Sequence, residues 1–307
     1  MKGEFREANS PRNSPYKQVW NKGDNMKEAK ERIMQIVFLA AACVSILAVV
    51  LICVFMFANG IPAIGEIGIF KFLLGTQWKP NNGIYGILPM IIGSIYVTVG
   101  AIIVGVPIGF FTAVYMAKFC DPKTYKMVKP AIDLMAGIPS IVYGFFGLVV
   151  IVPLMQKIFG GSGKSMLTAS ILLGIMILPT IISVAESNIR AVPESYYEGS
   201  LALGATPERS VFSAVLPGAK SGILAGIVLG IGRAIGETMA VIMVAGNQPI
   251  IPKSLLYGVR TLTANIVMEM GYATDLHREA LIATAVVLFV LILILNSCCS
   301  ALQRRSN

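Results

Sequence analysis

A chain of 307 residues with 55% hydrophobic and 13% charged residues, and a mean hydropathy of +0.74, is too apolar for a water-soluble domain. Its net charge of +9 does not imply nucleic acid, because the basic residues lie between apolar runs and carry no interleaved stacking aromatics. A hydrocarbon core of about 30 Å needs roughly 20 apolar residues of helix, and runs of this length exclude barrel strands.

The expected fold is therefore all-α: a polytopic membrane protein of six transmembrane helices. Residues 1–32 are polar, with Pro11 and Pro15 among alternating Lys, Arg and Glu, and are expected to be a flexible cytoplasmic tail that becomes helical near Met26. The first apolar run, 33–58, is too long for the core of a signal peptide and reads as a retained anchor. An outer loop over 59–85, holding Trp78, Pro80 and Tyr85, separates that anchor from a core of five helices over 86–303. Those five spans are expected at about 86–116, 131–156, 167–189, 220–245 and 279–302, with a short tail at 304–307. Gly105, Pro107, Gly109 and Pro179 fall inside them; bilayer bundles tolerate such residues, and glycines let helices approach closely.

Lys and Arg set the orientation. The tail carries eight, the 117–130 loop four, the 190–220 loop three and the C-terminus two, seventeen in all against seven in the opposite loops. By the positive-inside rule both termini are cytoplasmic in a cell-membrane protein. Cys43, Cys53, Cys298 and Cys299 lie within spans and Cys120 in a cytoplasmic loop, so no disulfide framework is implied. His277 has no Cys or His company, and neither a metal nor a cofactor is expected.

Two constellations carry the functional reading. The first is the cytoplasmic loop 190–217, with Glu198, Gly204, Leu216 and Pro217. Ala205-Thr206-Pro207 is expected to end one short helix and start another, since Gly204 permits the bend and proline suits a first helical turn. A surface helix–turn–helix of this kind suits insertion of its tip into a soluble partner; the plain alternative is an ordinary amphipathic loop. The second is Arg233, near the middle of the fifth span. A charge there costs about 2.5–3.5 kcal/mol by insertion scales, so it must face the bundle. At about 100° per residue, Gly222, Gly226, Gly230 and Glu237 share its face. One reading is an Arg233–Glu237 pair locking helices together. The other is a fixed positive charge offered to an anion, with Glu237 steering the guanidinium; the two can coexist.

Other features carry less. Phe159 to Ser165 resembles a phosphate-cradling loop, but Ile158 stands where the first glycine belongs and the strand-to-helix setting is missing. Ser140 and Ser183 lack the His and Asp of a nucleophile. Glu186, near the cytoplasmic end of the fourth span, suits either structure or gating.

The spacing of Glu198, Gly204, Leu216 and Pro217 resembles the docking loop of permease subunits in ATP-binding-cassette importers, with Gly199, Ser200 and Ala214 departing from the pattern. The strings Gly137 to Gly144, Arg190 to Pro193, Glu198 to Thr206 and Gly232 to Val241 resemble the phosphate-importer permeases, the C-type more than the A-type subunit. This resemblance runs from about residue 60 to the C-terminus. It implies a type I importer of inorganic phosphate in which this chain forms half the pathway. An A-type permease, two ATP-binding subunits and an extracytoplasmic phosphate-binding protein would complete the assembly. Arg233 and Glu237 would line the substrate pathway, and Glu198, Gly204, Leu216 and Pro217 would couple to the ATPase. A permease for another oxyanion such as molybdate or sulfate is the alternative. An intramembrane enzyme would need clustered His, Asp or paired Ser within the spans.

Overall fold

The structure, a computed structural model, describes the backbone of residues 15–305 and the side chains of residues 30–298, 300 and 301. The start of the expected tail, residues 1–14, and the last two residues lie outside the described residues. The chain divides into two units, one up to residue 55 and one from residue 56 onward. Six helical stretches are long and apolar enough to cross a membrane: Lys30–Ile67, Leu88–Phe119, Ser140–Phe159, Met166–Arg190, Pro207–Gly236 and Asp275–Cys298.

In the first unit, helix α1 (Pro15–Ile67) carries exposed Ile33, Val37, Val44 and Leu51 without an amphipathic stripe, the composition of a lipid-facing span. The end of α1 belongs to the second unit. There Phe57 meets Phe289 edge-on at 6.1 Å, on helix α13 (Asp275–Arg305).

The 59–85 stretch is ordered. It holds the last turns of α1, helix α2 (Ile69–Leu74) and a hairpin of β1 (Trp78–Lys79) with β2 (Ile84–Tyr85). The strands are antiparallel, Trp78 opposite Tyr85. A 3-10 turn at Pro80–Asn82 and a left-handed Gly83 (φ 68°) close the hairpin. Beyond it, Gly75 and Gly86 cross backbone to backbone. A Cβ at Gly86 would lie 2.4 Å from the carbonyl carbon of Gly75, a contact no rotamer can relieve. Gly86→Ala is therefore expected to part these segments and lower stability by roughly 1–3 kcal/mol, the cost of forced overpacking. A drop in the thermal aggregation midpoint of the detergent-solubilised protein checks this; an unchanged midpoint contradicts the crossing.

Helix α3 (Leu88–Val114) runs on through a π-helical turn to Phe119. The run expected as one helix over 131–156 is broken. Helix α4 (Pro122–Gly137) is amphipathic and capped by Asp121, which accepts from the amides of Lys123 (3.0 Å) and Thr124 (3.2 Å). The Thr124 side chain first, and then these amide bonds to the ionised form, hold the Asp121 carboxyl below the usual aspartate range. Ile138 is extended (ψ 126°), as a residue before proline prefers, and the apolar span starts at helix α5 (Ser140–Phe146). A π-helical turn then leads to helix α6 (Val152–Phe159).

Helix α7 (Met166–Arg190) is the centre of the second unit: 61% of its most apolar window is buried, against 33% or less in the other spans. Gly105 and Gly109 of α3 bring that helix against Ile177 and Ile181 of α7, where added Cβ atoms would meet them at 2.7 and 2.9 Å. From the other side Gly222, Gly226 and Gly230 of helix α10 (Leu216–Gly236) face Asn188, Val184 and Ile181. Two glycine faces thus clamp one helix, the close approach that stabilises bundles without a hydrophobic drive from lipid. The loop before α7 is a turn rather than an anion cradle. Gly163 (φ 69°) sits where a Cβ would strike the Val152 carbonyl oxygen at 2.2 Å, and its own carbonyl accepts from Thr168 Oγ1 at 2.6 Å. The chain ends through helix α11 (Met239–Val244), helix α12 (Leu262–Met270) and α13.

Candidate functional site

Helix α10 stops at Gly236, because Glu237 turns extended (ψ 132°) and α11 begins at Met239. The helical projection that put Glu237 on the face of Arg233 therefore runs one residue past the end of the helix. Glu237 Oε1 instead accepts from the amides of Thr238 (3.0 Å) and Ala240 (3.2 Å), capping α11. Its carbonyl accepts from Thr263 Oγ1 at 3.1 Å. No Arg233–Glu237 ion pair forms among the described residues.

Arg233 occupies the last turn of α10 and is half-buried. Its Nη1 donates to Thr180 Oγ1 at 3.2 Å, across the glycine-lined interface with α7. Thr180 lies ten residues before the end of α7, about 15 Å along the axis and so near mid-span. The carbonyl end of α10 carries about half a negative charge. That partial charge cannot neutralise a guanidinium, and among the described residues no carboxylate pairs with it. Beside it, Gly232 and Gly236 face open space, with nothing within 4 Å of an added Cβ.

The loop 190–217 is a helical hairpin. Helix α8 (Glu194–Ala202) ends in a Schellman arrangement: Ala205 N bonds to Ser200 O (3.2 Å) and Gly204 N to Leu201 O (2.8 Å). Gly204 takes φ 86°, the left-handed conformation this motif demands. Thr206 then caps helix α9 (Pro207–Ser210), accepting from Arg209 N at 3.3 Å. The stop and restart expected at Ala205-Thr206-Pro207 are both present. Glu198 and Gly204 are exposed, whereas Leu216 is buried among Val192, Val211, Val215 and Ala219, and Pro217 sits in the first turn of α10. Leu216 and Pro217 thus root the hairpin and Glu198 and Gly204 lie at its free end. Sequence reasoning missed Leu203, an apolar side chain 91% exposed at the bend. Its place between α8 and the glycine was the available signal.

Two further polar clusters lie at the ends of the bundle. At one, Glu269 accepts from Trp78 Nε1 (2.7 Å) and Arg260 Nη1 and bonds His277 Nε2 (2.9 Å), tying the β1–β2 hairpin to α12 and α13. The single histidine is thus a carboxylate-bonded side chain in contact with the rings of Trp78, Tyr85 and Tyr272. At the other, Glu186 binds Tyr125, Lys129 and Arg190. Desolvation pulls the Lys129 ammonium down, yet the hydrogen bond and charge of Glu186, with Asp133 and Tyr125 beside them, together raise its pKa above the ordinary lysine value. His277, Asp121 and the described cysteines form no cluster of metal-ligating residues.

A multi-pass helical bundle that exposes a capped helical hairpin at one end and holds an uncompensated arginine at mid-span has the build of a membrane transporter subunit, and the comparisons agree. The chain belongs to the family described as binding-protein-dependent transport system inner membrane component, whose model matches residues 105–307. It is 36% identical over 240 residues to the probable ABC transporter permease protein YqgH of Bacillus subtilis, covering 76% of this chain and 78% of that one. It is 33% identical over 289 residues to the phosphate transport system permease protein PstC of Xylella fastidiosa, covering 87% and 89%. To the probable PstC of Methanocaldococcus jannaschii it is 32% identical over 286 residues, covering 85% and 90%. Among solved structures, the inward-facing MetNI methionine ABC transporter superposes with TM-score 0.56 at 19% identity, over 75% of this chain and 100% of that one. A bacterial alginate importer superposes with TM-score 0.56 at 14% identity, over 89% and 99%. The fold is that of type I ABC importer permeases. The chain is a multi-pass membrane subunit of a transport system and not an enzyme.

Proposed function

We propose that this chain is the C-type permease of an ATP-driven importer of inorganic phosphate. Arg233 carries the reading: a guanidinium at mid-span whose charge no carboxylate among the described residues cancels suits a passing dianion. The fork of arginine matches phosphate oxygens and stays charged at any physiological pH. Glu237, bound to the start of α11, holds the backbone break just beyond Arg233 and sets where that side chain sits. The relatives named for phosphate transport, matched over most of their length, support the same substrate.

The chain would form half the pathway beside an A-type permease, with two ATP-binding subunits and an extracytoplasmic phosphate-binding protein. Both termini lie in the cytoplasm, as does the 190–217 hairpin, where the ATPase would seat against Glu198 and Gly204. Closure of the ATPase dimer on ATP draws the hairpins together and opens the spans outward to receive phosphate. Hydrolysis returns the pathway to face the cytoplasm. Uptake of radiolabelled phosphate into proteoliposomes holding the assembled complex tests the reading, with sulfate and molybdate as competitors. ATP-dependent phosphate uptake resisting both competitors is expected; displacement by molybdate or sulfate at equal concentration would assign the other oxyanion instead.

A further inference from the structure

We infer that Glu186 is a positioning residue of the transport cycle, the carboxylate that fastens α3, α4 and α7 into one body where α7 runs into the 190–217 hairpin. The inference rests on the reading of that hairpin as the ATPase seat. The Glu186 side chain is only 4% exposed and takes donors from two elements. From α4 come Tyr125 Oη (3.0 Å) and Lys129 Nζ (3.2 Å); from the end of α7 comes Arg190 Nε. Arg190 also donates through Nη2 to the carbonyl of Met116 (2.7 Å), at the end of the second span, and its guanidinium lies over the Tyr125 ring at 4.3 Å. Lys129 further reaches Ser183 Oγ and Asp133 Oδ1, both at 3.5 Å.

The hairpin is tied to the same body. Lys118, two residues beyond Met116, pairs with Glu194 at 3.1 Å in the first turn of α8 and lies over the Tyr197 ring at 5.4 Å. Apolar packing supplies only part of this connection: Ile132 and Val128 of α4 and Tyr197 of α8 pack into a cluster with Val114, Met116, Ile182 and Ile189. Yet helix α8 fully buries no side chain and α4 fully buries only Ile132. Apolar contact of that extent resists separation but not sliding, whereas a buried carboxylate with three directed donors fixes register and angle. Displacement of α8 thus reaches α3 through Lys118, and α4 and α7 through Arg190 and Glu186.

The test uses the assembled importer in proteoliposomes, with phosphate moved and ATP hydrolysed measured on the same preparation. Glu186→Gln is expected to keep ATP hydrolysis but move about fivefold less phosphate per ATP, the lower end of typical coupling between sites. Glu186→Asp, which keeps the charge, should recover part of the ratio. Lys118→Glu should lower the ratio and the exchange Lys118→Glu with Glu194→Lys should restore it. This second pair sits on a partly exposed surface and decides the question if Glu186→Gln does not assemble. A ratio within roughly twofold of the parent in both Glu186→Gln and Lys118→Glu overturns the inference while leaving the transport reading intact. A parent complex that moves no phosphate overturns both.

Discussion

Arg233→Gln should cut phosphate uptake by about tenfold or more at matched expression, chiefly by weakening apparent affinity. Hydrogen bonds to charged groups contribute roughly 1.5–3 kcal/mol, and about 1.4 kcal/mol is a factor of ten. Glutamine keeps a donor for Thr180 but no charge for a dianion. Lysine should retain more function than glutamine and less than arginine, since it keeps charge without the two-pronged geometry. The fold should survive, because Arg233 makes one hydrogen bond among the described residues and relieving an unpaired charge at mid-span removes a cost. Initial uptake rates across a phosphate series check the result. Equal affinity and rate in parent and Arg233→Gln would show that the guanidinium does not meet the passenger.

Leu203→Asp should cut ATP-driven uptake by about tenfold or more without unfolding the permease. At 91% exposure Leu203 contributes almost nothing to the core, so a bilayer-inserted monomer of normal stability is expected. An exposed apolar side chain at the bend of a capped hairpin is suited to a pocket on a partner. Truncation of such an anchor costs about 2 kcal/mol or more, and a buried charge costs further. The readouts are co-purification of the ATP-binding subunit and ATP-dependent uptake, both expected to fall by about tenfold or more. Glu198→Ala should weaken the same docking less, since an exposed charge contributes little by itself. Full co-purification of ATPase with Leu203→Asp would remove the hairpin from the interface.

Both predictions turn on residues of different legibility. Arg233 announced itself, because a charge inside an apolar run has no inexpensive explanation other than function or pairing. Leu203 did not, because one leucine among many in an apolar chain carries no signal until its exposure is known. Glu237 was legible as a charge but not as a cap: whether a helix continues past Gly236 depends on how Thr263 and α11 pack around the break, and the apolar pattern resumes directly beyond Thr238. The division of the third run at Ile138–Pro139 was open to the rule for residues before proline, yet the apolar stretch on either side masked it.

By itself the sequence determined that the chain holds six helices long and apolar enough to cross a membrane and that Gly204, Thr206 and Pro207 turn a helical hairpin, and its basic residues set the orientation to expect. These follow from local chemistry: the length of an apolar run, the count of charges, the torsion open to glycine and the capping reach of a hydroxyl. Only the tertiary structure decided which charges are matched. Glu186 and Arg190 are neighbours on one helix, but Lys129, Tyr125 and Met116 join them from far along the chain, as Trp78 joins Glu269. Among the described residues, Arg233 is left without a carboxylate by the same packing. Pairing of charges depends on directions in space, and no spacing along a chain encodes those until the helices have met.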